Sequence, residues 1–96
     1  MHAVVRHYSG QGASALFNLL EQRKSEVEGI ISSVTGFVSY TLARTDDGGV
    51  SVTVCQDKDG TDESLRLARE WIQANAADTG AGTPTVMEGG VILHLS

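Results

Sequence analysis

The chain predicts a single α+β domain with the element order βαββαβ, and three observations carry that prediction. Two segments alternate apolar and polar residues about the turn Asp46-Asp47-Gly48-Gly49. Two others repeat apolar residues at three- and four-residue steps, and short valine-bearing runs stand at both ends. This order is the ferredoxin-like split βαβ unit, in which two helices cover one face of a four-stranded antiparallel sheet with strand order 4-1-3-2.

Taken in order, Ala3-Val4-Val5 with Arg6-His7-Tyr8 reads as a short strand closed by Ser9-Gly10-Gln11-Gly12. Ala13, Leu16, Phe17, Leu20, Lys24, Val27, Ile31 and Val34 then form one stripe of an amphipathic helix, with Glu21, Gln22, Glu26 and Glu28 off it. Gly29 costs about 1 kcal/mol relative to alanine, so the helix is expected to bend or restart there. Gly36 ends it.

Phe37 to Thr45 and Val50 to Asp57 are the arms of a hairpin. A three-residue loop would pair Thr45 with Gly49 and collect Tyr40, Leu42, Val52 and Val54 on one face, with Val38 beyond. Ser39, Thr41, Ala43, Ser51, Thr53 and Cys55 would take the other. An even loop would set Val50, Val52 and Val54 beside Thr41 and Ala43 instead. A slip of one residue exchanges the faces, so the odd loop is expected.

Thr61 is the expected N-cap of the second helix, with Asp62 and Glu63 in its first turn. Leu65, Ala68, Ile72 and Ala76 mark its buried stripe, with Trp71 on the shoulder. Asp78 to Pro84 is a loop. The last strand opens at Thr85, with a bulge expected at Gly89-Gly90, and ends in Val91-Ile92-Leu93-His94-Leu95, apolar on both faces until His94. No lysine and no proline after Pro84 protects this edge. A second copy of the chain is therefore expected to cover the bare sheet face and part of the edge, making a homodimer.

At 96 residues, 41% hydrophobic and 20% charged, the composition is that of one ordinary globular domain. A net charge of −5 with scattered Lys and Arg disfavours nucleic acid and anionic membrane as partners. One cysteine, Cys55, leaves no internal disulfide and fits a reducing compartment. The N-terminus lacks a signal-peptide pattern, and no stretch nears the ~20 apolar residues of a membrane span. A cytoplasmic protein is expected. Within this fold order, RNA recognition needs exposed strand aromatics and positive charge, which Val50 to Cys55 lacks. Heavy-metal binding needs paired cysteines after the first strand.

The run Gly36-Phe37-Val38-Ser39-Tyr40-Thr41-Leu42, the acidic-glycine hairpin, the valine strand and the helix bearing Arg69-Glu70-Trp71-Ile72 together resemble the antibiotic biosynthesis monooxygenase-like group. The likeness spans nearly the whole chain in element order and length. It implies a dimeric α+β barrel, two sheets packed face to face with helices outside. The group's best-known members carry out cofactor-free oxygenation of aromatic polyketides or haem degradation, and many others have no assigned activity. Haem-degrading members ligate iron through a histidine, generally on the second helix. Neither predicted helix here holds one, so haem degradation is disfavoured. Quinol-oxidising members set a tryptophan and an asparagine near the substrate, and Trp71 and Asn75 are similar to these.

Four residues are therefore candidate site residues. Trp71 would wall an aromatic pocket, although a large apolar side chain beside the buried stripe also serves as plain core. Asn75 accompanies it through the resemblance. His94 has the chemistry of a general base near neutral pH, against the alternative of an interface histidine. Tyr40 would donate a hydrogen bond to a substrate oxygen, against a core role. Cys55 reads as a packed inert thiol, and His2 and His7 complete no metal site. The leading expectation is a cofactor-independent monooxygenase acting on a small aromatic or quinol-like compound. The competing one is a homodimer of the same fold that binds a small molecule, or is structural, without catalysis.

Overall fold

The structure is a computed structural model and describes residues 1–95. Its elements are β1 (His2–Ser9), α1 (Ala13–Gln22), α2 (Lys24–Ser32), β2 (Phe37–Thr45), β3 (Gly48–Cys55), α3 (Lys58–Asn75), a 3₁₀ turn at Ala77–Thr79, and β4 (Thr85–Gly90). The four strands form one antiparallel sheet in the order β2-β3-β1-β4, with the helices on one face. This is the ferredoxin-like topology expected from the sequence.

The core lies between the helices and that face. Leu16, Phe17 and Leu20 of α1, Val27 and Ile31 of α2, and Trp71 of α3 meet Tyr8 of β1. The Tyr8 and Phe17 rings touch edge-on, centroids 5.9 Å apart. Gly49 lies directly beneath Phe17, where a Cβ would collide with the ring, so α1 can settle onto the sheet only over glycine.

Five expectations are corrected. The hairpin loop is the even one: Thr45 pairs with Gly48, Leu42 with Ser51 and Tyr40 with Thr53. Tyr40, Leu42, Ser51, Thr53 and Cys55 thus share the helix-covered face, while Val50, Val52 and Val54 lie with Ser39, Thr41 and Ala43 on the bare one. Gly49 under Phe17 fixes this choice, since the odd register would turn Val50 toward α1. The chain also shifts by one residue between Phe37 and Ser39, which keeps Phe37 on the core side.

The first helix breaks at Arg23, not at Gly29. Arg23 leaves helical geometry at φ −115°, ψ 29°. Its guanidinium binds both Glu26 carboxylate oxygens, at 2.8 and 2.7 Å, donates to Asn75 Oδ1 at 3.1 Å, and lies 5.1 Å from the Trp71 ring centroid. These contacts tie the break to α3. The N-cap of α3 is Asp57, which accepts from the Gly60 amide at 3.3 Å, while Thr61 is buried one turn inside.

The last strand stops at Gly90 without a bulge. Its partner on β1 at that point is His2, and the final contact is Val91 N–H donating to Met1 C=O at 3.0 Å. Beyond it the same chain offers no further strand to pair with. Ile92, Leu93 and Leu95 are consequently exposed, Ile92 fully so at 101%. Both faces of this segment were expected to be buried; within the single chain they are not.

Candidate functional site

The alternation of β1 decides what the helix-covered face carries. Val4, Arg6 and Tyr8 point inward, each buried, whereas Ala3, Val5 and His7 point to the bare face. Arg6 is 6% exposed. It pairs across the ladder with Ser51, and Tyr40 stands one strand further on. A small cavity of about 30 Å³ sits over this group, roofed by Trp71, Ala68, Leu20, Val27 and Ile31. That is room for about one water molecule. Two wider grooves meet it. One, about 380 Å³, runs between α2 and β2 and shares Val27, Ile31, Tyr40 and Leu42 with the cavity. The other, about 330 Å³, runs between α3 and the loop at 81–84 and reaches Arg6 and Tyr8 from the β4 side.

The polar groups at this floor are unusual for a core. Arg6 Nη1 donates to Tyr8 Oη at 3.0 Å, with the guanidinium carbon 5.8 Å from the same ring's centroid. Among the described residues no carboxylate pairs with Arg6. The Ser51 and Thr53 hydroxyls beside it are buried without a hydrogen-bond partner. Burial pushes the Tyr40 hydroxyl above its ordinary value of 10.0, with the Arg6 charge pulling the other way. Tyr40 is therefore a protonated phenol at neutral pH, able to donate.

Of the four candidates, Trp71 and Tyr40 meet at the cavity. Trp71 Nε1 donates to Glu26 Oε2 on the outer side, so its indole N–H is already engaged. Arg23 first, then Trp71, holds the Glu26 carboxyl below its ordinary value of 4.5. Asn75 is exposed: it donates to Trp71 C=O at 3.0 Å and accepts from Arg23, steadying the end of α3 outside the cavity. His94 Nε2 lies 3.3 Å from Ser39 Oγ, on the bare side of the sheet, across from Tyr40 and Trp71. His2 instead meets Glu88 at 2.9 Å, on the helix side near the β4 edge. Burial, with Asp57 and Glu63 adding to it, pushes the Cys55 thiol up and keeps it an unreactive neutral group.

Sequence reasoning passed over Arg6 and Ser51. The signal was present: Arg6 is in phase with Val4 and Tyr8, so whatever buries those two buries the guanidinium.

Among the described residues no set of three or more His, Cys, Asp or Glu side chains is grouped to hold a metal ion. No helix is long and apolar enough to cross a membrane. The cavity and both grooves are lined without histidine, cysteine or methionine. These residues do not furnish the usual axial ligands of a haem.

No protein-family model matches the sequence, and no curated protein matches it. Solved structures do. SnoaB, a cofactor-independent oxygenase from Streptomyces nogalater, aligns at TM-score 0.67 and 23% identity over 98% of this chain and 95% of its own. The haem degrader MhuD from Mycobacterium tuberculosis, solved with two haems in its active site, aligns at TM-score 0.67 and 18% identity over 100% of both chains. A dimeric ferredoxin-like protein from an uncultured marine organism aligns at TM-score 0.65 and 10% identity, over 99% of this chain and 95% of that one. Likeness at this identity concerns the fold alone: the chain shares the ferredoxin-like α+β fold of these proteins.

Proposed function

We propose that the chain works as a homodimer in which the helix-side cavity, together with the wider grooves that meet it, takes a small aromatic or quinol-like compound and oxygenates it without a cofactor. The observation that carries this reading is the meeting of Trp71 and the protonated Tyr40 hydroxyl at one cavity between helices and sheet. In such chemistry the ionised substrate supplies all the electrons; one oxygen atom enters it and the other leaves as water. The protein need only exclude solvent, hold the ring and place donors where oxygen charge develops. Trp71 would hold the ring and Tyr40 would donate. SnoaB, of the same fold, is a cofactor-independent oxygenase, which supports the reading. His94 and Asn75 are not carried into the site.

Dimerisation rests on the bare face. Val5, Val50, Val52 and Met87 form an apolar surface without helices, beside the buried Val54, and Ile92, Leu93 and Leu95 are exposed on the segment that follows β4. A second copy stacked on this face would bury both, and the relative from the marine organism is dimeric.

The non-catalytic reading keeps one observation in its favour: the ionisable groups lining the cavity are Arg6, Tyr8 and Tyr40, none of them a base at neutral pH. Oxygen uptake by the purified dimer with a panel of phenols and quinols separates the two. Turnover that survives chelator supports oxygenation; no uptake with any compound leaves the binding role.

A further inference from the structure

We infer that the ligand is an organic anion, whose carboxylate or ionised hydroxyl is received by Arg6 at the floor of the groove between α3 and the loop at 81–84. The inference rests on the previous reading only in taking this cavity as the ligand site. A guanidinium removed from water is costly unless an opposite charge or a full set of acceptors replaces it. Arg6, 6% exposed, has the Tyr8 hydroxyl as hydrogen-bond acceptor, the Tyr40 hydroxyl beside it, and no carboxylate partner among the described residues. Ser51, 1% exposed and directly opposite Arg6 across the ladder, has a hydroxyl with no hydrogen-bond partner among the described residues. Tyr40, a protonated phenol, and Ser51 line the small cavity that shares Arg6 with this groove. Donors from three strands, Arg6, Ser51 and Tyr40, thus line one cavity whose single charge is the guanidinium. That is a site built for a planar oxyanion, which a guanidinium binds through two parallel hydrogen bonds.

The route in carries the same sign. The groove of about 330 Å³ is lined by Arg6 and, toward its mouth on α3, by the exposed Arg69, and by no acidic residue. In a chain of net charge −5 this is a local reversal. Arg69 makes no ion pair among the described residues. The groove on the other side, between α2 and β2, carries Lys24 and Glu28 together and shows no such bias. Leu65, Ile72, Pro84 and Val86 along the α3 groove give the apolar walls an aromatic ring would lie against.

The test is equilibrium binding without oxygen, read by the fluorescence of Trp71, the chain's single tryptophan, and by calorimetry. The probes are 2-naphthoate and its neutral isostere 2-naphthamide. Naphthoate is expected to bind about tenfold tighter or more, the lower end of what a hydrogen bond to a charged group contributes. Arg6→Met should erase that preference, leave naphthamide binding in place, and melt at a higher temperature because a buried unpaired charge has gone. Arg69→Gln, a surface change that keeps the fold, should weaken naphthoate a few-fold and flatten its dependence on salt. Equal affinities for the two probes, binding of neither, or a preference that survives in Arg6→Met would overturn the inference. Naphthoate preference with no oxygen uptake from any quinol removes the oxygenase reading and leaves the anion site standing. Uptake from quinols with equal probe affinities does the reverse.

Discussion

The two faces of the sheet differ in what they carry. The face covered by helices sets Arg6, Tyr8, Tyr40, Ser51 and Thr53 among its apolar residues, while the face without helices carries Val5, Val50, Val52, Met87 and the already buried Val54. A domain seeking only its own stability would place the valines under the helices, since each buried one contributes roughly 1.5–3 kcal/mol. The arrangement makes sense if each face answers to something outside the chain. The polar floor answers to a ligand, and the valine face to a second subunit. Both statements can be broken by single substitutions.

The largest effect is expected on the bare face. Val52→Asp would place a carboxylate in the centre of the proposed contact, and symmetry would bury two of them. An uncompensated buried charge costs about 3–5 kcal/mol, so the variant should sediment as a monomer at concentrations where the parent is a dimer. A parent already monomeric at micromolar concentration, or a variant still dimeric, would refute the stacked-sheet assembly. Trp71→Ala acts from the opposite side. Trp71 is buried and lines the cavity, so its loss should destabilise by about 3–5 kcal/mol in denaturant titration. A much smaller loss accompanied by abolished ligand binding would mean the ring is a pocket wall more than a core element.

Much of this could be read from the chain before any coordinates. The element order, the sheet topology and the placement of Tyr40 toward the helices followed from hydrophobic period and turn residues. The hairpin register did not, for a physical reason. Choosing the register that gathers Leu42, Val52 and Val54 on one face assumes that only one face is ever covered, and a dimer covers two. Gly49 was the missed discriminator, because only the even loop sets a glycine under Phe17. Arg6 escaped notice because a lone arginine in a short strand reads as solvated unless its phase with Val4 and Tyr8 is followed. The tail from Val91 reads as strand from its composition, but strand needs a neighbour, and the described pairing with β1 ends at His2–Gly90. His94 went with it, to the bare side of the sheet beside Ser39.

Ser51→Ala sharpens the contrast between faces at a smaller scale. The Ser51 hydroxyl is buried without a partner, so its removal should raise stability by about 1 kcal/mol, up to the ~3 that an unsatisfied buried group can cost. Thr41→Ala on the bare face, where Thr41 is exposed, should stay within about 0.5 kcal/mol. If the inner hydroxyl serves the anion, Ser51→Ala must also weaken naphthoate while gaining stability. A residue whose loss strengthens the fold and weakens the ligand is what a stability–function conflict predicts. A loss of stability in Ser51→Ala would show that the hydroxyl is satisfied after all and would weaken the case for a ligand-facing floor.

The smallest effect concerns pH. Arg23 and the Trp71 indole N–H hold the Glu26 carboxyl below 4.5 in the folded chain. A carboxyl with a depressed folded value binds fewer protons in the folded state than in the unfolded one. Its contribution is therefore present above the unfolded value and is lost as pH falls through and below about that value of 4.5. Glu26 is exposed, so solvent screens the pair and the loss should be slight. Comparing parent and Glu26→Gln in thermal melts, the gap between them should be steady from neutral pH down to about 5 and close below it. A gap that keeps its size in acid would mean the carboxylate charge does no work on Trp71, and that the ring is held by packing and by Arg23 alone.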